Sequence, residues 1–497
     1  MIAYFQNLRY RLNILLSSSF GKTVLSGYTL FLFTNFAALL LTPYILKYVS
    51  KADYGIYLLC IDIISWMALF QFGTSQILSS TAGRLIGQGN YKELNIAYNS
   101  TFFFQVLISI LIIPLYYVVV SFSTIGESSS EITFVIVVFG FSAGLQIYTQ
   151  IFSALLIASK KIYLDNLIQL TLNILGYTLI LIFVPLYGLV ALASINLVVI
   201  ILIIVRSSLR VKSLFPQLKI TRQAFNRASL LNFLKQGIYF SVAAITSIFL
   251  SKFDGFFIGD KFGLETVASF YITIKLFTLV EKLTQTFFNN FRPYISQNFG
   301  KGDIKFIALF YSIVTPLILG IALVLSGVVL LINEQFIFLW VGKGFFIGST
   351  FCIAYAFYII INLATLPSRI ILSSTLVKLK MHSLFRVIEG LVRISFVFVF
   401  LGHFGIFVLP ISSFICAFIF GYVALFFLVY MFFKENSLPP NLSAHLPLLL
   451  FLMGYGVLSF MSNNVYVYSV FILISGVSIL GYLLVSKRKE VALLLKR

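Results

Sequence analysis

The sequence predicts an all-α polytopic membrane protein of about 14 transmembrane helices. Composition comes first: hydrophobic residues make up 60% of the 497 positions, charged residues only 10% and aromatics 17%, more apolar surface than a soluble core can use. Second, apolar runs of about 20 residues recur along the chain, the length that crosses about 30 Å of hydrocarbon. Third, most of the Lys and Arg residues fall between those runs and chiefly on one side, with about 5 within the runs. With a cytoplasmic N-terminus, that side collects about 26 of the 35 Lys and Arg residues and the other side about 4 (Lys47, Lys51, Lys261, Lys343). Both termini are therefore expected in the cytoplasm. The formal charge of +20 reads as a sorting signal and an anionic-lipid contact, not as nucleic-acid binding.

Residues 1–22 are short and basic, and the run 24–49 is too long for a cleavable signal core, so it is expected to remain as the first span. Further spans are expected at 54–79, 99–121, 132–158, 163–184 and 188–205, completing an N-terminal lobe over 1–205. A basic connector, 206–235, carries Arg206, Arg210, Lys212, Lys219, Arg222, Arg227 and Lys235. It reads either as an amphipathic surface helix, with Phe225, Ala228 and Leu231 toward lipid, or as a plain solvated linker. A C-terminal lobe over 236–432 holds spans at 236–258, 266–290, 306–332, 350–373, 385–402 and 405–432. Residues 433–497 add two spans, 446–462 and 465–486, and a basic tail.

An internal echo runs across the two halves. Gly89-Asn90-Tyr91-Lys92 and Gly302-Asp303-Ile304-Lys305 follow the second and eighth spans at one offset, and that offset lays Gly55-Ile56-Tyr57 on Ala268-Ser269-Phe270. Two six-helix repeats of the same orientation are expected, because six is even.

The eighth span is long enough to cross a bilayer, yet Tyr271, Lys275, Thr278, Lys282, Gln285, Asn289 and Arg292 recur at steps of three and four and share one helix face. A lysine near the hydrocarbon midplane costs at least about 2.5–3.5 kcal/mol unless it meets protein or water, so this stripe must line a polar interior. The tenth span repeats the pattern with Tyr355, Tyr358, Asn362, Thr365 and Arg369. In the eleventh, Arg386, Glu389 and Arg393 share a side. Asp62, Lys252, Asp254 and Glu281 complete the intramembrane charges. Three readings stay open: an i,i+4 pair of Glu389 with Arg393, Asp254 as a partner for Lys275, and Lys252 reaching toward the outer surface.

Cys60, Cys352 and Cys416 lie singly in separate spans and read as packing residues, and His382, His403 and His445 sit scattered at span ends with no ligand role. Neither a nucleophile elbow, a P-loop nor a metal-ligand cluster is present, and no extramembrane stretch is large enough for a catalytic domain. A transporter is expected, without cofactor. Its drive would be an ion gradient, with H⁺ or Na⁺ taken by Asp62, Asp254, Glu281 or Glu389 and Asp62 favoured as the acid of the first lobe with no obvious intrahelical cation, or the membrane potential, or downstream consumption of the substrate.

The stretches LTPYILKYVSKADYGIY (41–57), FQFGTSQILSS (70–80), SKFDGFFIGDKFGLETVASFY (251–271), RPYISQNFGKGD (292–303) and FIFLWVGKGF (336–345) resemble the Wzx-type O-antigen and capsule flippases of the multidrug/oligosaccharidyl-lipid/polysaccharide exporter superfamily. The resemblance spans nearly the whole chain. It implies two six-helix lobes forming a V around a central cavity, two extra C-terminal helices, and residence in the cell inner membrane. It implies as substrate an undecaprenyl-diphosphate-linked glycan for lipopolysaccharide or capsule, with polymerase and chain-length proteins of the same pathway as partners. A cationic cavity would receive the diphosphate on Lys252, Lys275, Lys282, Arg369 and Arg393. Gln285, Asn289 and Asn362 would bond sugar hydroxyls, and Tyr355 and Tyr358 would offer faces to sugar rings. Where the family often has an acid before the glycine of the second span, this chain has Gln71 and Phe72 before Gly73. Two other readings remain: an ion-coupled exporter of small amphipathic molecules, and a membrane-embedded glycan polymerase or acyltransferase.

Overall fold

Ser50 marks the turn between the first two crossings. Helix α1 (Ser19–Tyr48) ends just before it, and its Oγ accepts from the Asp53 backbone N–H at 3.1 Å, capping α2 (Lys51–Met67). The computed structural model describes residues 19–121, 130–159, 161–235, 237, 241, 253–289, 291–292, 295, 298–299, 302–375, 377–438, 442–461 and 464–487. Most of the expected span 236–258, Lys252 and the basic tail beyond 487 lie outside the described residues.

The described residues form an all-α polytopic membrane protein. The expected span 54–79 is broken: α2 passes through a 3₁₀ turn (Ala68–Gln71) into Phe72 at φ 50° and Gly73 at φ 63°, and helix resumes as α3 (Thr74–Gly87). Two consecutive left-handed residues cannot continue a right-handed helix. Helices α4 (Tyr91–Ser121) and α5 (Ser130–Ala158) follow. The spans 163–184 and 188–205 fall on two helices that meet at a kink, numbered together as α6 (Ile162–Leu214): Pro185 lacks an amide hydrogen and Gly188 takes the non-helical φ 50° and ψ −125°.

The connector 206–235 is part of the first bundle's core. Val211, Phe215 and Phe233 are buried against Ile77, Leu94, Phe152 and Leu155. Its extended middle is tied to α4 through Lys219 and Thr221 N–H groups donating to Asn95 Oδ1 (3.0 Å) and Asn99 Oδ1 (2.8 Å). The surface helix starts only at 227, after a 3₁₀ turn at Arg222–Ala224, with Phe225, Ala228 and Leu231 exposed.

The chain divides into two compact units, Met1–Ile248 with Gly255–Ala268, and Phe249–Asp254 with Ser269–Arg497. This division does not fall at the connector. Helices α7 (Asp254–Phe262) and α8 (Leu264–Thr273) belong largely to the first unit, because α2 packs tightly on them: a Cβ on Gly55 would lie 2.0 Å from the Leu264 carbonyl oxygen.

The second unit is built around α10 (Ile304–Val341). Against it pack α9 (Lys275–Asn289), α11 (Ser349–Ala364), α12 (Leu366–Thr375) and the last helix, α17 (Val465–Ser486). The α10–α17 contact depends on small residues, since a Cβ on Gly476 would sit 2.8 Å from the Val324 nitrogen. Helices α13 (Leu379–Phe404), α14 (Val408–Cys416) and α15 (Ala424–Glu435) complete the bundle, with a π-helical stretch at Ala417–Val423 and α16 (Leu446–Met461).

The internal echo is real at the level of the turns. Gly89 and Gly302 both adopt left-handed φ, 68° and 73°. Asn90 and Asp303 N–H groups donate five residues back, to Leu85 and Asn298 carbonyls at 3.0 and 2.9 Å. The same two side chains then cap the following helices, accepting from Glu93 N–H (3.1 Å) and Phe306 N–H (3.0 Å).

Candidate functional site

The two polar stripes meet inside the second unit. Asn362 on α11 donates from Nδ2 to Glu281 Oε1 on α9 at 2.7 Å, and Gln285 Nε2, one turn along α9, donates to the same oxygen at 2.8 Å. Asn362 sits where α11 gives way to α12, just before Pro367, and its backbone carbonyl accepts Arg369 Nη2 at 2.7 Å and Thr365 Oγ1 at 2.6 Å. The helix break thus exposes the carbonyl that positions the arginine. Arg369 also lies within electrostatic reach of Glu281, Glu389 and Arg386. Its Nε is buried without a partner among the described residues, as is Asn289 Oδ1.

Lys275 is half-buried as the first residue of α9, directly after the helix interruption at Ile274. Lys282 is exposed, and Gln285 and Asn289 are half-buried. Tyr355 is buried, its ring 5.6 Å from Phe277 and 5.5 Å from the half-buried Tyr358. Asp62 is buried on α2 in the first unit.

Arg393 is committed elsewhere. It is 2% exposed, its Nη2 donates to Asp254 Oδ1 and Oδ2 at 2.7 and 2.8 Å, and its Nε donates to Ser413 Oγ at 2.8 Å. Two pairings left open by the sequence are corrected here. The carboxylate of Asp254 is taken by Arg393, not Lys275. Glu389 pairs with Arg386 at i,i+3, not with Arg393, because Arg393 Nη2 and Nε are already directed at Asp254 and Ser413.

Sequence reasoning missed two buried polar groups. Asp165 opens α6 and accepts from Ser153 Oγ and Gln169 Nε2, both at 3.0 Å; an acid with an amide at i+4 was the available signal. His445 accepts or donates between two tyrosines, Tyr311 at 3.2 Å and Tyr422 at 2.5 Å, and Tyr311 reaches Ser368 at 3.1 Å, beside Arg369 in sequence. The three cysteines are buried and unpaired.

A multispan helical bundle with a charged, hydrogen-bonded interior is the class that this geometry defines. Among solved structures the chain is similar to an inward-facing MATE family transporter of the MOP superfamily, with 14% identity, 84% of this chain and 95% of that chain covered, and a TM-score of 0.62. It is similar to the lipid II flippase MurJ in an inward closed conformation, with 14% identity, 89% and 98% covered, and a TM-score of 0.57. An outward-facing MATE transporter of the MOP superfamily gives 14% identity, 85% and 98%, and 0.54. No family model and no curated protein matches the chain. The chain has the fold of the MOP superfamily transporters and MurJ.

Proposed function

We propose that this protein is a flippase that carries undecaprenyl-diphosphate-linked oligosaccharide units from the cytoplasmic to the outer leaflet of the inner membrane by alternating access, with both termini cytoplasmic. The observation that carries the reading is the Asn362–Glu281 bond, which joins two polar helix faces into one cluster around Arg369. An anion stripped of water needs fixed positive charge, and a glycan brings hydroxyl donors and acceptors. Arg369 Nε and Asn289 Oδ1 supply unused groups of each kind. Lys275, Lys282 and Gln285 extend the same face, and Tyr355 and Tyr358 lie close by on α11. Arg393 serves as an anchor for Asp254 in this scheme. Of the three second-unit acids expected within spans, Glu281 accepts from two neutral amides while Asp254 and Glu389 pair with arginines, so Glu281 is the acid we assign to the coupling ion.

The resemblance of the stretches 41–57, 70–80, 251–271, 292–303 and 336–345 to polysaccharide flippases supports the substrate, and a MurJ-like fold is compatible with a lipid-linked one. An exporter of small amphipathic cations fits less well, because Lys275, Lys282 and Arg369 would repel such cargo. Deleting the gene should trap lipid-linked repeat units on the cytoplasmic face, and the polymerase acting next on these units should lose its substrate. Normal surface glycan in the deletion strain would overturn the proposal.

A further inference from the structure

A second polar site lies away from the α9–α11 cluster, at the far end of α10 where the last helix begins. It is a cavity of about 290 Å³ whose wall includes Asn333, Glu334, Gln335, Ser349, Phe346 and Tyr466. Positive charge on the chain favours the opposite membrane side, so this end faces away from the cytoplasm. Asn333 is 1% exposed; its Nδ2 donates to the Thr273 carbonyl at 3.0 Å and to Cys352 Sγ at 3.5 Å, leaving Oδ1 buried without a partner among the described residues. Gln335 Nε2 donates to the Tyr466 hydroxyl at 3.3 Å and joins α10 to α17 across the mouth.

The wall selects its ligand by what it contains. Among the described residues its one charged side chain is a carboxylate, Glu334, and no Lys or Arg lines it, in a chain of formal charge +20. An orphaned carbonyl oxygen and a carboxylate call for a donor that is also a cation, and aromatic faces favour one. Leu330 and Val465 make the remaining wall apolar, and the neighbouring Ile332 and Val470 are exposed on helices that cross the bilayer. We propose that this cavity binds a primary ammonium group, carried by the headgroup of an aminophospholipid whose acyl chains lie along α10 and α17. Gln335 and Ser349 can then donate to the adjoining phosphate. The site would tie the last helix to the lipid composition around it.

Native mass spectrometry of the purified full-length protein in micelles doped with equimolar phosphatidylethanolamine, phosphatidylcholine and phosphatidylglycerol tests this. Phosphatidylethanolamine should be retained about tenfold over the other two, the effect of one charge-assisted contact. Glu334→Gln should remove most of that preference, and Glu334→Lys, at an exposed position that tolerates the change, should reverse it toward phosphatidylglycerol. Free phosphoethanolamine separates the two sources of the ammonium: competition at equal concentration upholds the site with the headgroup sufficient, and failure to compete upholds it as a lipid site. Equal retention of the three lipids, or a phosphatidylethanolamine preference that survives Glu334→Lys, overturns the proposal.

Discussion

Asp254 and Arg393 form a bidentate ion pair inside the second unit, with Nη2 at 2.7 and 2.8 Å from the two carboxylate oxygens. Asp254 is also the first residue of α7, whose remaining residues belong to the first unit. Removing one member of a buried pair strands the other at a cost of roughly 3–5 kcal/mol, whereas removing both can be nearly neutral. Asp254→Asn and Arg393→Gln should each lower the amount of protein in the membrane, and the double change should restore it. Normal abundance of Arg393→Gln alone, with transport lost, would instead make Arg393 a substrate contact.

Arg369 should behave differently. Its hydrogen bond is to a backbone carbonyl, so Arg369→Gln strands no buried carboxylate through that bond and is expected to abolish flipping while the protein accumulates near normally. Lys275→Gln is expected to do the same. In-cell accumulation of lipid-linked units, measured beside membrane abundance, separates these cations from Arg393.

Glu281 carries the coupling prediction. Glu281→Gln keeps the geometry of the Asn362 and Gln285 contacts but loses the charge, and transport into vesicles should no longer respond to an imposed H⁺ or Na⁺ gradient. An unchanged gradient response would move the role to Asp62, which Asp62→Asn then tests by the same assay.

Two glycines offer a contrast in how packing and backbone limit substitution. Gly55→Ala would drive a methyl to 2.0 Å from the Leu264 carbonyl, and overpacking against backbone costs about 1–3 kcal/mol or more. Gly89 has open space around it but a φ of 68°, so Gly89→Ala should cost only the left-handed penalty of about 1–2 kcal/mol, and Gly89→Asn less. Thermal unfolding in detergent should show the larger fall for Gly55→Ala.

The matched turns make a quantitative forecast. Asn90→Ala and Asp303→Ala each remove one N-cap bond of nearly equal length, so each should cost about 1 kcal/mol. Equal shifts in unfolding temperature are expected, and a shift at one site only would show that the echoed turns are not energetically equivalent.

The helical character of the chain and the two polar helix faces were determined by the sequence alone, because both depend on near-neighbour properties. An apolar run of about 20 residues has few choices in a bilayer, and a stripe at steps of three and four shares a face wherever the helix lies. The turn echo was legible for the same reason, since a left-handed glycine followed by a capping Asx is a local structure. Tertiary structure decided which charges face each other. Asp254 and Arg393 are 139 positions apart, and α9 and α11 bring Glu281 to Asn362 across 81. Spacing within one helix favoured Glu389 with Arg393, but a buried guanidinium takes the carboxylate that packing presents, and packing presented Asp254. The break at Phe72 and the unused oxygen of Asn333 were hidden likewise, because backbone hand and hydrogen-bond satisfaction are settled only when neighbouring helices fix who can reach whom.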